Sequence, residues 1–409
     1  MGWIYLACSI LGVLHAVNGL RPTKRNLALF VWSFAASWLT IELVWHHIVL
    51  GLVISAVCIA GGALDSAPGI AGLVLMVVAE VLLLQIALTT RKTIVTVRGA
   101  LSDLEPGPEA PRFPRLHVVF PFLMGHRRGV EVVRNVRFHR AGGKQLRLDV
   151  TVPSAPVPGG GALRPALLQI HGGGWVIGDK REQGLPLLGH MAAQGWVGFN
   201  ANYRLSPWAT FPDHLDDITV ALAWIREHAE EYGIDPDFVC ITGGSAGGHL
   251  CALLALTADP PVAAAVPFYG VYDFTPQGRF GEDRRVYEMF LESWVMKAFV
   301  DEEPERYVAA SPLHRVHAGA PPFFVIHGDK DTLAPVEDAR AFVAALKAVS
   351  QQPVAYAEMR GAQHAFEIFP SVRAARVIEG VERFLTTLWE RRHAPRPAAE
   401  AELVDALTE

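Results

Sequence analysis

The first ninety residues carry four apolar runs, Trp3–Leu20, Leu27–Trp45, Ile48–Leu64 and Ile70–Thr89. They are parted only by RPTKR (21–25), His46-His47 and DSAPG (65–69). Each run is close to the roughly 20 residues that a helix needs to cross a bilayer, so residues 1–92 are expected to form a bundle of about four transmembrane helices. Trp3, Trp32, Trp38 and Trp45 include the aromatic residues expected at membrane–water boundaries. The first run has no basic leader and no A-x-A site, and more runs follow it, which argues against a removable signal peptide. Glu42 is expected near a helix end and Glu80 in a pair inside the bundle. Arg21, Lys24 and Arg25 favour a cytoplasmic first loop, and Arg91, Lys92 and Arg98 favour the same side. Three crossings between these clusters cannot satisfy both. Either one run is re-entrant or interfacial, or the following domain is translocated against its charges.

Beyond residue 92 the pattern changes. The Pro-rich stretch LSDLEPGPEAPRFPR (101–115) is expected to stay out of regular structure, within a linker and membrane-proximal segment over 93–129. Val130–His139 and Gln145–Val152 read as two strands around the turn AGGK. Strands then alternate with helices. The strands are Ala166–Ile170, Trp196–Asn200, Phe238–Thr242, Ala263–Phe268, Pro322–His327 and Val354–Met359; the helices are Leu215–Tyr232, Gly247–Thr257, Pro335–Val349 and Val377–Arg391. In the first helix Leu215, Ile218, Ala221, Leu222 and Ile225 recur at helical spacing. Such alternation predicts an α/β domain over 130–392, a mostly parallel sheet covered on both faces. The acidic, small-residue end, 393–409, reads as a disordered tail.

Charge removes one class of function. A net charge of −5 with no dense Lys/Arg cluster does not suit a nucleic-acid surface. Cys8, Cys58, Cys240 and Cys251 read as small buried hydrophobes rather than disulfide partners or metal ligands. His314 and His317 have a ligand-like spacing but no companion cluster, so no metal or other cofactor is expected.

Four pieces carry chemistry. Gly243-Gly244-Ser245-Ala246-Gly247 lies between the strand FVCIT and the apolar helix HLCALLAL. A serine on such a strand-to-helix elbow is strained, needs glycine on both sides, and faces the positive end of the following helix. HGGGW (171–175) follows a strand and lets backbone N–H groups turn toward a substrate oxygen; with the amide of Ala246 it would stabilise an oxyanion. In PPFFVIHGDKDTLAP, Asp329 and Asp331 both leave a strand end. Asp331 is preferred because the turn must be completed before a side chain can reach sideways, with Asp329 in reserve. His364, in RGAQHAF, follows the next strand and is placed to act as a base. The order Ser245, Asp331, His364, each after a successive strand, is that of a nucleophile, acid and base on one sheet edge.

These motifs resemble the α/β-hydrolase superfamily, within it the hormone-sensitive-lipase-like esterases that carry HGGGW, over about residues 130–390. NYRLSPWATFP (202–212), followed by LDDITVALAWI, matches the same pattern. A membrane segment joined to such a domain resembles the Lip-type carboxylesterases of mycobacteria and related actinobacteria. The resemblance implies Ser245 as nucleophile, Asp331 as orienting acid, His364 as base, and Gly172, Gly173 and Ala246 as oxyanion donors, with His171 bracing the glycine loop. One departure is Gly244, where GDSAGG is usual; the GGSAGG form also occurs in feruloyl-esterase-like and arylformamidase-like branches. Residues 275–310 resemble a cap insertion, with Phe280, Phe290, Trp294 and Phe299 either lining a pocket or packing the cap down. The expected function is a membrane-anchored, multi-pass serine carboxylesterase acting on lipid-like esters beside membrane lipids. The rivals are an amidase or arylformamidase with the same triad, a non-catalytic sensor on this scaffold, and an acyltransferase.

Overall fold

The computed structural model describes residues 1–23, 27–104, 111–125, 127–155, 163–278 and 287–394, with only the backbone at 27–30 and 287. The apolar region folds into α1 (Gly2–Leu20), α2 (Leu27–Glu42), α3 (Val44–Ala60) and α4 (Ala67–Arg91). Small residues let α1 and α4 approach closely: a Cβ on Gly72 would lie 2.9 Å from the Leu6 nitrogen, the kind of backbone approach that holds apolar helices together without a hydrophobic drive. The expected four crossings resolve differently. Among the described residues two helices are long and apolar enough to cross a membrane, Gly2–Leu20 and Ala67–Ala100, and the pair around Leu43, bent by 88°, passes the same test when taken together. The second and third runs divide at Leu43 and not at His46-His47, whose backbone is already helical.

The expected linker is corrected in part. The chain runs from α4 into α5 (Thr93–Ala100), and Val97, Leu101, Leu104 and Phe113 are buried with Phe324, Val381 and Phe384 of the α/β domain. Proline restricts the chain only where it stands, and residues 93–104 carry none, so their apolar side is free to continue as helix and seek cover. Within 93–129, residues 105–110, which hold the first two prolines of the stretch, and residue 126 lie outside the described residues, as does the predicted tail from 395.

Eight strands form one sheet in the order β1-β2-β4-β3-β5-β6-β7-β8. β1 (Val130–Ala141) and β2 (Lys144–Pro153) make the predicted hairpin, with Gly142 and Gly143 at positive φ in its turn. β2 is antiparallel to both neighbours. β3 (Arg164–Ile170), β4 (Val197–Ala201), β5 (Ile234–Gly244), β6 (Ala264–Phe268), β7 (Phe323–Gly328) and β8 (Val354–Met359) run parallel. The connecting helices include α6 (Leu185–Ala193), which the sequence pattern did not reveal, then α7 (Asp213–Glu227), α8 (Ala246–Thr257), α9 (Val336–Val349) and α10 (Val372–His393). Two hydrophobic layers cover the sheet: one centred on α7 and α8, the other on α6, α10 and α5. The NYRLS stretch is fixed by Arg204, whose Nε donates to Asp217 at 2.8 Å.

α10 also ties the two regions together. Arg373 donates to Glu42 at 3.0 Å and Ser371 to the same carboxylate at 2.7 Å; both charged side chains are buried. Glu42 thus does sit at a helix end, but its partner lies in the α/β domain. Breaking a buried pair strands the remaining charge. Arg373→Ala is therefore expected to cost about 3–5 kcal/mol, read by denaturant unfolding of the detergent-solubilised protein. A loss below about 1 kcal/mol would show that water reaches Glu42.

Candidate active site

The β5–α8 elbow holds Ser245 at φ 60°, ψ −123°, a conformation that costs a non-glycine residue about 1–3 kcal/mol and persists only when its surroundings enforce it. The enforcement is close packing. A Cβ on Gly247 would lie 2.1 Å from the carbonyl oxygen of Ile170, and one on Gly243 would lie 2.5 Å from that of Gly247. Ser245 N–H donates to the Phe268 carbonyl at 3.0 Å, anchoring the elbow to β6.

Two strands further along, Asp331 and His364 meet. His364 Nδ1 donates to Asp331 Oδ2 at 2.6 Å. Asp331 Oδ1 accepts the amides of Leu333 and Ala334, each at 2.8 Å, and His327 Nε2 lies 3.4 Å from Oδ2. Burial works against the charge of Asp331, yet the neighbouring His364 and His327 hold its carboxyl well below the usual carboxylate range. Asp329 turns elsewhere: it accepts Gly361 N–H at 2.6 Å, bracing the turn after β8. His364 Nε2 is buried with no hydrogen-bond partner among the described residues, so it is open to one from a substrate or from Ser245.

Gln363 was not legible from the sequence. Its Oε1 accepts the backbone N–H of Thr332 at 2.8 Å and of His364 at 2.9 Å, so one buried amide stitches the acid turn to the histidine loop. Tyr269 was missed as well. Its ring centre lies 4.5 Å from that of His364, its side chain packs against Gly244, and its hydroxyl donates to Glu367.

The glycine loop packs on the elbow from the other side. Gly173 has φ 111°, and a Cβ there would lie 2.0 Å from the Ile177 carbonyl oxygen. His171 donates from Nδ1 to the Gly172 carbonyl at 2.8 Å and stacks on Tyr203 at 4.4 Å. Burial pushes its imidazole down to about 4, which keeps it neutral. Trp175 anchors the loop edge-on against His249 and Phe274. Of the three expected oxyanion donors, one already has a partner. Gly172 N–H is already donated to Gln183 Oε1 at 2.7 Å, because the αL turn at Gly184 brings Gln183 under the loop. The backbone donors of Gly173 and Ala246 are the remaining pair.

In the cap region, Phe290 faces Gly174 and Trp175, with ring centres of Phe290 and Trp175 6.4 Å apart. Trp294 and Phe299 are exposed, and Phe299 borders an open depression with Met289, Glu292 and Glu302; Phe280 lies outside the described residues. Among the described residues no group of three or more His, Cys, Asp or Glu is placed to hold a metal, and His314 lies 3.4 Å from Asp273.

An eight-stranded sheet with a strained serine elbow and an acid–histidine couple at one edge is the arrangement of the α/β-hydrolase fold. Comparison with known proteins agrees. The BD-FAE family model matches residues 148–346. The chain is 48% identical over 250 residues to the probable carboxylic ester hydrolase LipM of Mycobacterium tuberculosis, covering 57% of each protein. It is 42% identical over 275 residues to esterase LipQ of the same organism, covering 64% of this chain and 63% of LipQ. A shorter match, 42% over 106 residues, is to arylacetamide deacetylase of Oryctolagus cuniculus. In three dimensions it resembles esterase Est2 of Thermogutta terrifontis, with a TM-score of 0.52, 26% identity, and coverage of 66% of this chain and 95% of that one. The chain has the α/β-hydrolase fold and is similar to the Lip-type mycobacterial esterases, and its matches span about three-fifths of the length of those two relatives.

Glu367 gives a pH prediction. Burial raises its carboxyl from the ordinary 4.5 to about 7, against the Tyr269 hydroxyl that favours its charge. The folded state therefore binds the proton more tightly than the unfolded chain does, and stability falls as pH rises from 4.5 to 7. Glu367→Gln is expected to remove this fall, about 3 kcal/mol at most, in unfolding curves taken at several pH values. A variant with the wild-type pH slope would place the titration elsewhere.

Proposed function

We propose that this chain is a membrane-anchored serine carboxylesterase acting on lipid-like esters, with Ser245 as nucleophile, His364 as base and Asp331 as its orienting acid. The observation that carries the reading is the strained Ser245 at the same sheet edge as an Asp331–His364 couple whose Nε2 is free. In this reading His364 Nε2 takes the Ser245 proton as Oγ attacks the ester carbonyl carbon. The amides of Gly173 and Ala246 hold the oxyanion, and Gly172 joins them only if Gln183 lets go. Collapse breaks the ester C–O bond, and His364 returns the proton to the departing alcohol. A water, deprotonated in turn by His364, then cleaves the acyl-enzyme. Asp331, ionised and buried, stabilises the imidazolium in both halves.

Residues 130–392 form the catalytic domain in this reading, and the apolar helices make the protein a multi-pass membrane protein. Names of relatives support ester hydrolysis. The shorter similarity to an arylacetamide deacetylase supports a second reading, amide hydrolysis by the same residues. Rates on a matched ester and amide separate the two.

The test is labelling of membrane fractions with a fluorophosphonate probe. Wild type is expected to label, and Ser245→Ala to lose labelling together with a fall in kcat of about 10⁴-fold or more. A folded wild type that does not label would favour the non-catalytic sensor.

A further inference from the structure

The mechanism above leaves unused a set of residues that reach the His364 loop from an unexpected direction. Phe34 stands edge-on to the His364 imidazole, ring centres 6.4 Å apart. Trp38 donates from Nε1 to the Ala365 carbonyl at 2.8 Å and stacks on Phe369 at 4.9 Å. Gln363, which holds the acid turn, donates to Ser37 Oγ at 3.2 Å. Positions 34, 37 and 38 share one face of a helix, and Ile41, further along it, is buried against Ala16, Leu83 and Ile86 of α1 and α4. The opposite side is open: Trp32 is 76% and Leu39 37% exposed.

The path of the chain explains this. α3 packs with α1 and α4, whereas α2 meets α3 at 88°, so α2 lies across the end of the bundle. Its start is fixed to α1 by Asn18, which donates to the Ser33 carbonyl at 2.8 Å. The end of α1 is fixed to the α/β domain by Lys330, which donates to the Leu20 carbonyl at 2.6 Å. If α3, whose 17 residues are the short end of what a crossing needs, crosses with α1 and α4, only two crossings separate residues 21–25 from 91–98. Both basic clusters then fall on one side, as charge requires.

We propose that α2 is a wall of the substrate site and not a membrane span, lying in the interface with Phe34 as the residue that meets the acyl group beside His364. This rests on the esterase reading and specifies its substrate. The acyl chain of a lipid ester reaches Ser245 along α2 from the bilayer surface, and Phe34 sets which chains fit. Trp38 is a positioning residue that holds the histidine loop through Ala365.

The experiment compares full-length wild type, Phe34→Ala, Phe34→Leu and the bare-face control Trp32→Ala in lipid nanodiscs. It measures kcat/KM for p-nitrophenyl butyrate and decanoate, with fluorophosphonate labelling as the count of active sites. Either Phe34 variant is expected to change the decanoate-to-butyrate ratio by about tenfold while still labelling, and Trp32→Ala to keep the wild-type ratio. A labelling Phe34 variant with the wild-type ratio overturns the wall. If Phe34→Ala does not fold, Phe34→Leu, which keeps the position apolar, decides alone. A wild type that neither labels nor hydrolyses overturns the esterase reading itself, a result distinct from an unchanged ratio.

Discussion

The site depends on how closely three stretches of backbone approach at the C-terminal edge of the sheet. The carbonyl of Ile170 occupies the space that a side chain at Gly247 would need, and the Gly247 carbonyl does the same to Gly243. That contact forces the sharp turn, and the turn forces Ser245 into positive φ. The glycine loop after β3 is drawn against the elbow by the same approach. Loosen it, and the serine relaxes into ordinary helix or strand geometry with its hydroxyl no longer held at the edge. The strain is local; the packing that sustains it involves β3, β5, β6 and α8 together.

Around this turn the polar groups divide into two kinds. Asp331 is surrounded by donors, two amides and two imidazoles, and so keeps its charge despite burial. Glu367 has one strong donor, Tyr269, and burial prevails. The difference between the two acids is donor count. Asp331 bonds the His364 imidazole and presents a fixed negative charge to it, whereas Glu367 meets it only through the Tyr269 ring.

Much of this was legible in sequence. Strand and helix alternation gave the parallel sheet because buried strands and amphipathic helices have different periods, and β8 ends where its pattern does. Ser245, Asp331 and His364 were legible from strand-end positions and chain order. What escaped were features set by contacts between distant segments. No local pattern marks Gln363 as a bridge between two loops or Gln183 as the partner of the Gly172 amide. Composition misread 93–104 because the prolines lie further on. The apolar runs were counted as crossings because hydropathy measures what a helix avoids and not which way it lies; Phe34 and Trp38 are as apolar facing a protein as facing lipid.

The Glu42–Arg373 pair has a consequence for biogenesis. One partner is made among the earliest residues and the other more than 300 positions later. Until α10 has left the ribosome, the carboxylate at the end of α2 lacks its guanidinium, and the helix beside His364 lacks a clamp. Such distant closure is slow relative to local structure, and domains with unsatisfied surfaces are prone to misassembly. A nascent chain therefore holds its serine elbow before it holds the helix beside His364. Completion of the last helix joins the two parts, so a chain cut short within α10 loses the clamp on the helix beside His364 and not merely its tail.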